Sequence, residues 1–136
     1  MKNITVFETE RGGYIYYDHM KKSYIMVELL PKQTAGKLSI NLNYEENKNQ
    51  PIINKNGKKA FLRSIRNEDI FATWHIHPPF PEGDCTPSPE DENASSNEKR
   101  PGIVFQYNGE IWEESRTKWV IWLTDRDGRS FEYKIQ

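Results

Sequence analysis

The sequence is poor in the features that mark several classes of protein. It has one cysteine, Cys85, in 136 residues, which excludes an intrachain disulfide framework. No apolar run approaches the ~20 residues that a transmembrane helix needs. Lysine and arginine number 19 against 20 aspartate and glutamate residues, so the basic excess typical of nucleic-acid binding is missing. We therefore expect neither a membrane span nor a nucleic-acid partner.

The first ten residues also lack the apolar stretch of a secretory signal peptide. Together with the single cysteine, this predicts synthesis and folding in a reducing cytoplasm. Export by a route that needs no signal peptide stays open.

Large aromatic side chains, in contrast, are plentiful. Four tryptophans, seven tyrosines and six phenylalanines are too many for a disordered chain. A length of 136 residues fits one domain, and a domain of this mass buries about two-thirds of its surface on folding. We therefore predict a single folded domain over residues 1–136.

Short apolar stretches separated by turn residues dominate the chain. The first two predicted strands flank a polar link and should form a hairpin. A second hairpin is expected at Asn108-Gly109, because this dipeptide suits a type I′ turn. Trp119–Leu123 is apolar on both faces, which is typical of a central strand. The predicted strands are Tyr14–Tyr17, Tyr24–Leu30, Leu38–Leu42, Ile70–His77, Ile103–Tyr107, Glu110–Trp112, Trp119–Leu123 and Phe131–Ile135.

Helical patterns are few. Residues 58–67 fit a helix or a strand about equally well, and residues 89–99 fit a second helix. Asn43–Lys59 is polar and is predicted to be a long inserted loop, either solvated or acting as a flap over a cleft. The pattern as a whole favours a mixed α/β (α+β) domain with a mainly antiparallel sheet.

Two of the three histidines, His75 and His77, lie two positions apart at the end of a predicted strand. Side chains at i and i+2 of a strand point to the same face, about 7 Å apart. Two imidazoles placed in this way can converge on one metal ion, although either could equally be a structural residue. The third histidine, His19, falls in a predicted turn, where we expect it to be exposed.

The stretch from Ser88 to Asp91 permits two interpretations. It matches a helix start, with Ser88 as the N-cap, Pro89 as the first helical residue and Asp91 in the first turn. The residues that follow, 92–99, offer only one apolar side chain to bury, so such a helix needs another reason to be ordered. A shared metal ion would supply that reason.

The two histidines and Asp91 together make a plausible ligand set for that ion. Two imidazoles and one carboxylate leave a fourth tetrahedral position for water, which is the pattern of catalytic zinc sites. The third ligand would follow a loop over residues 79–87.

A hydrolytic zinc site also needs a general base, and three acids near the start of the chain are candidates. Glu8, Glu10 and Glu28 could each be an ordinary surface residue. Glu10 differs because Gly12 and Gly13 follow it, and glycines in a strand let another backbone approach closely. Glu10 is therefore the favoured candidate.

In this order, Glu10-x-x-Gly13, His75-x-His77-Pro78 and Ser88-x-x-Asp91 resemble the signature of the JAMM (MPN-plus) metallopeptidases. The likeness is greatest to bacterial toxin- or effector-type JAMM-like domains. It implies a JAMM/MPN-like (cytidine-deaminase-like) single domain that hydrolyses an amide bond through metal-bound water, as a zinc-dependent peptidase or isopeptidase.

The resemblance also implies a role for each residue of the signature. His75, His77 and Asp91 would ligate Zn²⁺, and Glu10 would hold the water and act as general base. Ser88 would help to stabilise the oxyanion. By the same resemblance the substrate is a protein or peptide, and an immunity or inhibitor protein is an expected partner if the domain is an effector.

The sequence also permits two other functions. Cys85, in the loop before Ser88, could act as a nucleophile with a histidine, although the neighbouring acids would raise its pKa and disfavour the thiolate. Alternatively, the domain could keep the fold and bind a partner without hydrolysing anything.

Overall fold

The computed structural model of the chain describes residues 11–30, 42–54, 57, 59–77, 87, 89–107 and 119–133. The strands within these ranges join into one sheet of eight, and two helices accompany them. In chain order the elements are β1 (Arg11–Asp18), β2 (Ser23–Leu29), α1 (Tyr44–Asn47), β3 (Pro51–Asn54), β4 (Lys59–Phe61), β5 (Ile70–His77), α2 (Pro89–Glu98), β6 (Gly102–Tyr107), β7 (Trp119–Thr124) and β8 (Ser130–Tyr133).

The strand order in the sheet is β4-β3-β2-β1-β5-β6-β7-β8. Neighbouring strands are antiparallel except for β5 and β6, which are parallel. Parallel neighbours need a crossover connection, and α2 lies in the chain between these two strands. The predicted mixed α+β domain with a mainly antiparallel sheet and few helices is therefore confirmed.

One apolar cluster packs the β1–β3 half of the sheet against α1 and the turns that follow β4. Two buried tyrosines fix this packing through their hydroxyls. Tyr14 donates to the Leu42 carbonyl oxygen at 2.9 Å, and Tyr44 donates to the Ile65 carbonyl oxygen at 2.7 Å. Buried rings of this kind combine a large apolar area with one satisfied polar atom. The buried members are Tyr14, Val27, Leu29, Tyr44, Ile52, Leu62, Ile65 and Ile70.

Several strand predictions are confirmed. The first two strands form the expected antiparallel hairpin, with Tyr17 opposite Tyr24. The strand predicted over Ile70–His77 has those bounds in the structure. Trp119–Thr124 is an inner strand between β6 and β8, as its two apolar faces indicate. Of the strand predicted at residues 38–42, only Leu42 lies within the described residues, and it is not in a strand.

The predicted loop over residues 43–59 is wrong, because this segment contains α1 and β3 and reaches the start of β4. Asn43 caps α1 by accepting a hydrogen bond from the Glu46 backbone N–H at 3.0 Å. Ile52 is buried opposite Leu29 in the β2–β3 pairing. Two buried apolar residues, Tyr44 and Ile52, and a side-chain cap thus order a segment whose composition is polar.

The structure also decides between a helix and a strand for residues 58–67. Lys59–Phe61 forms a short edge strand, and 3₁₀ turns follow at Leu62–Ser64 and Asn67–Asp69, so the helix alternative is wrong. The Leu62 side chain is fully buried in the core. The apolar residues of this segment therefore lie in a strand and a turn, and not along one face of a helix.

The predicted pairing of Ile103–Tyr107 with Glu110–Trp112 is wrong as well. Strand β6 pairs with β5 along one edge and with β7 along the other, where Tyr107 stands opposite Trp119. A strand has only two edges, and both edges of β6 are occupied by described strands; residues 108–112 lie outside the described residues. The turn at Asp127-Gly128 is confirmed, with Gly128 at a φ of +86°.

The helix predicted over residues 89–99 is confirmed as α2, which ends at Glu98. Polar contacts attach it to the sheet. Ser130 donates its hydroxyl proton to the Glu92 carboxylate at 2.6 Å, and Ser95 is buried beside Gly102. Neither helix in the described part of the chain is long and apolar enough to cross a membrane.

Candidate metal centre

Strand β5 places His75 between two neighbouring strands. His75 stands opposite Gly12 of β1 on one side and opposite Val104 of β6 on the other. The residue is buried, although a histidine is more often partly exposed. His77 lies two positions further along the strand, opposite Gln106, and its side chain is outside the described part of the structure.

Gly12 is the neighbour that makes room for His75. A Cβ atom at position 12 would lie 2.6 Å from the Trp74 carbonyl oxygen and 2.8 Å from the His75 Cβ atom. Real Cβ atoms do not approach this closely, so any larger residue would displace β5 at the histidine. The close backbone approach predicted from the Gly12-Gly13 pair is thus present, and at Gly12 it leaves room for the side chain of His75.

Helix α2 brings the third predicted ligand to the same place. The helix begins at Pro89, so Asp91 lies in its first turn. The Asp91 Oδ1 atom is 3.3 Å from the His75 Nε2 atom. Two residues that stand sixteen positions apart in the sequence therefore meet with one nitrogen and one oxygen facing each other.

The spacing of these two atoms fits a shared zinc ion. Zinc–nitrogen and zinc–oxygen bonds of about 2.0–2.2 Å at a tetrahedral angle put neighbouring ligand atoms roughly 3.3–3.5 Å apart. A direct charge-assisted hydrogen bond is typically shorter, about 2.7–2.9 Å. The chemistry of the pair, one imidazole nitrogen and one carboxylate oxygen, also matches what zinc binds.

The described residues hold only part of the predicted ligand set, and they contain no group of three histidine, cysteine, aspartate or glutamate side chains that could hold a metal ion. Glu10, Ser88, Cys85 and the 79–87 loop, apart from Pro87, lie outside them. Their chain neighbours are described, however. Arg11 stands opposite Ile76, the residue before His77, and Pro89 begins α2.

Of the other candidate bases, Glu28 is placed away from His75. Glu28 stands opposite Gly13 of β1, which in turn stands opposite Trp74 of β5, so Glu28 and Trp74 share one face of the sheet. His75 follows Trp74 in the strand, and its side chain therefore points to the other face. The Glu28 carboxylate accepts two hydrogen bonds of 2.8 Å from the Arg11 guanidinium, which raises the pKa of Arg11. Glu8 lies outside the described residues.

A second histidine–aspartate pair was not predicted. His19 is exposed in the β1–β2 turn, as expected, but its Nε2 atom is 3.0 Å from the Asp69 Oδ1 atom. The hydrogen bond from His19, followed by that from Arg66, lowers the pKa of Asp69 below its usual value. Fifty residues separate His19 from Asp69, and only the pairing of β1 with β5 brings them together.

Comparison with known proteins adds no family to this description. The chain matches no protein-family model and no curated protein.

Proposed function

We propose that the protein is a zinc-dependent peptidase or isopeptidase that hydrolyses an amide bond in a protein or peptide. The observation that carries the proposal is the 3.3 Å separation of His75 Nε2 and Asp91 Oδ1 at the junction of β5 and α2. The ordered motif that includes Glu10, His77 and Ser88 supplies the remaining groups.

In this proposal His75, His77 and Asp91 hold the ion. Bound zinc supplies Lewis acidity, which lowers the pKa of a water molecule and polarises the scissile carbonyl. His75 is buried, which restricts the orientation of its ring, and a metal ligand needs a fixed orientation. Gly12 on one side and Val104 on the other hold the backbone of His75 in register.

Glu10 is the proposed general base. It accepts a proton from the attacking water and returns it to the leaving amine, so that no net proton is lost in the cycle. The position of Arg11 opposite Ile76 supports this role, because it brings the start of β1 to the part of β5 that carries the histidines. Ser88, next to the first residue of α2, is the proposed hydrogen-bond donor to the oxyanion.

Delivery as a bacterial effector, with an immunity protein as partner, belongs to the same proposal. It rests on the sequence motif alone, and the fold adds nothing to it.

The test combines zinc content with turnover of a peptide and isopeptide library. We expect about one zinc ion per wild-type chain and measurable hydrolysis. His75→Ala should lose both, whereas Glu10→Gln should keep zinc and lose turnover by roughly a hundredfold or more. His19→Ala is the matched control and should change neither.

Three results would contradict the proposal. Full activity of Glu10→Gln would remove the assigned base. Activity that survives excess chelator but disappears in Cys85→Ser would indicate a thiol hydrolase. Zinc binding without any hydrolysis would indicate a binding domain.

A further inference from the structure

A pocket of about 440 Å³ lies at the other end of β5 from His75. It is bounded by the β1–β2 hairpin, the start of β5 and the link between α2 and β6. Its volume falls within the range of small-molecule sites, about 300–1,000 Å³. From Ile70 to His75 the strand covers about 16 Å, so the pocket is separate from the candidate metal centre.

The acids that line this pocket already have partners. Asp69 accepts hydrogen bonds from His19 and Arg66 through its two oxygens. Glu98 accepts a hydrogen bond from the Tyr44 backbone N–H at 3.4 Å, and burial raises its pKa. The third acid of the lining, Glu68, is exposed, and its Oε1 atom lies 3.8 Å from the Arg66 Nε atom.

The cations that line the pocket are much less engaged. Lys99 and Arg126 are exposed, and neither has an ion-pair partner within the described ranges. Arg100 is only 9 % exposed, and two of its guanidinium nitrogens, Nε and Nη1, have no hydrogen-bond partner. Its nearest carboxylate oxygen, on Glu98, is 3.7 Å away. The third nitrogen, Nη2, donates to the Asn67 side-chain oxygen, and Nε and Nη1 are shielded from solvent. Arg100 therefore adds positive charge behind the pocket surface, and Lys99 and Arg126 are the cations that a ligand can contact.

Three aromatic rings, those of Tyr17, Tyr24 and Phe71, also line the pocket. The Tyr17 and Tyr24 rings meet edge to face at 5.1 Å, and Tyr24 meets Phe71 in the same way at 5.4 Å. Tyr24 and Phe71 are nevertheless more than half exposed, so part of each ring is free to contact a ligand. Exposed aromatic rings beside exposed cations are typical of binding sites for ligands with an apolar body and a charged end.

We propose that this pocket binds a small molecule that combines an acidic group with a planar ring. The acidic group lies against the exposed Lys99 and Arg126, and the buried charge of Arg100 attracts it from behind. The ring stacks on Tyr24 and Phe71. A phosphate on a nucleotide and a carboxylate on an aromatic acid share this chemistry.

Calorimetric titration of the purified chain tests the proposal with four probes. The probes are adenosine monophosphate, benzoate, adenosine and inorganic phosphate. At least one of the first two should bind at millimolar concentration or below, and tighter than either probe that lacks the ring or the charge. Binding of adenosine monophosphate alone would identify a phosphate ligand, and binding of benzoate alone a carboxylate ligand.

Substitutions then locate the site. Arg126→Gln or Lys99→Gln should weaken binding roughly tenfold, the effect of losing one charge-assisted contact. Phe71→Ala should weaken it by a similar factor. Two matched controls, Arg129→Ala on the same β7–β8 turn and Phe131→Ala on β8, should bind as the wild type does.

Two results would overturn the proposal. One is the absence of binding by both ring-bearing anions to protein that melts cooperatively. The other is unchanged affinity in the Lys99→Gln, Arg126→Gln and Phe71→Ala variants. Neither result depends on zinc or turnover, so the test of this pocket is independent of the test of the proposed metal centre.

Discussion

The molecule contains two histidine–aspartate pairs in contrasting surroundings. In the first pair the side chains of His75 and Asp91 are 9 % and 19 % exposed and stand 3.3 Å apart. In the second, His19 is 66 % and Asp69 17 % exposed, and the atoms stand 3.0 Å apart. The shorter contact is thus the more exposed one, so distance alone does not identify a functional site.

Burial separates the two pairs in energetic terms. An exposed ion pair gains little, because water and salt screen it. A buried charged group loses its hydration, and that loss is compensated only by good geometry and further partners. A divalent cation held between His75 and Asp91 would provide strong compensation. We therefore expect zinc to bind between His75 and Asp91 and not between His19 and Asp69.

The largest expected difference is in stabilisation by zinc. A ligand that binds only the folded chain adds about 2.7 kcal/mol to the free energy of unfolding at 100 times its dissociation constant. We expect added zinc to raise the melting temperature of the wild type and of Asp69→Asn. In Asp91→Asn the shift should be lost, as differential scanning calorimetry would show. An equal zinc shift in both variants would remove the distinction between the pairs.

A smaller effect is expected when the neighbour of one pair is enlarged. Gly12→Ala forces a Cβ atom against the Trp74 carbonyl oxygen and the His75 Cβ atom, so β5 must move. We expect a loss of about 1–3 kcal/mol in the free energy of unfolding, together with weaker zinc binding. Urea denaturation and zinc titration would measure the two effects.

Gly102→Ala provides the control for this change. Its added Cβ atom would meet only the side-chain oxygens of Ser95 and Thr73, at 3.1 and 3.3 Å, and these can shift. The variant should lose less stability and bind zinc as the wild type does. A Gly12→Ala variant with normal stability and zinc affinity would show that the close approach does not position His75.

The smallest expected effect concerns the exposed pair and its dependence on pH. Hydrogen bonds from His19 and Arg66 lower the pKa of Asp69 in the folded chain below its ordinary value of 3.8. The stability that this carboxylate contributes is therefore present above pH 3.8 and is lost as the pH falls through the lower, folded-state pKa. In His19→Ala the pKa of Asp69 should rise towards the ordinary value, which an NMR titration of the carboxyl carbon would measure. An unchanged pKa would show that the His19 contact does not persist in solution.

The sequence predicted the parts of the fold that local patterns control. Ile70–His77 is rich in residues that favour strands and is followed by two prolines, so its C-terminal end was recognisable. The β1–β2 hairpin followed in the same way from two apolar stretches around a polar link. The alternate positions of His75 and His77 in a strand suggested a pair of metal ligands, and Asp91 was the predicted third ligand because two imidazoles and one carboxylate match the pattern of catalytic zinc.

Tertiary contacts explain what the sequence did not predict. Pro51–Asn54 lies in a polar segment, and its pairing with β2, which buries Ile52, is a tertiary contact that composition does not reveal. The Asn-Gly dipeptide indicated a tight hairpin, but β6 already has partners on both edges. The pair of His19 and Asp69 could not be predicted either, because its contact depends on how distant strands align.

The most direct test of the account is a crystal structure of the zinc-loaded protein with anomalous data collected on both sides of the zinc absorption edge. One strong anomalous peak is expected within about 2.0–2.2 Å of His75 Nε2 and of an Asp91 carboxylate oxygen, and none between His19 and Asp69. A peak elsewhere, or a direct His75–Asp91 contact with no zinc beside it, would contradict the account.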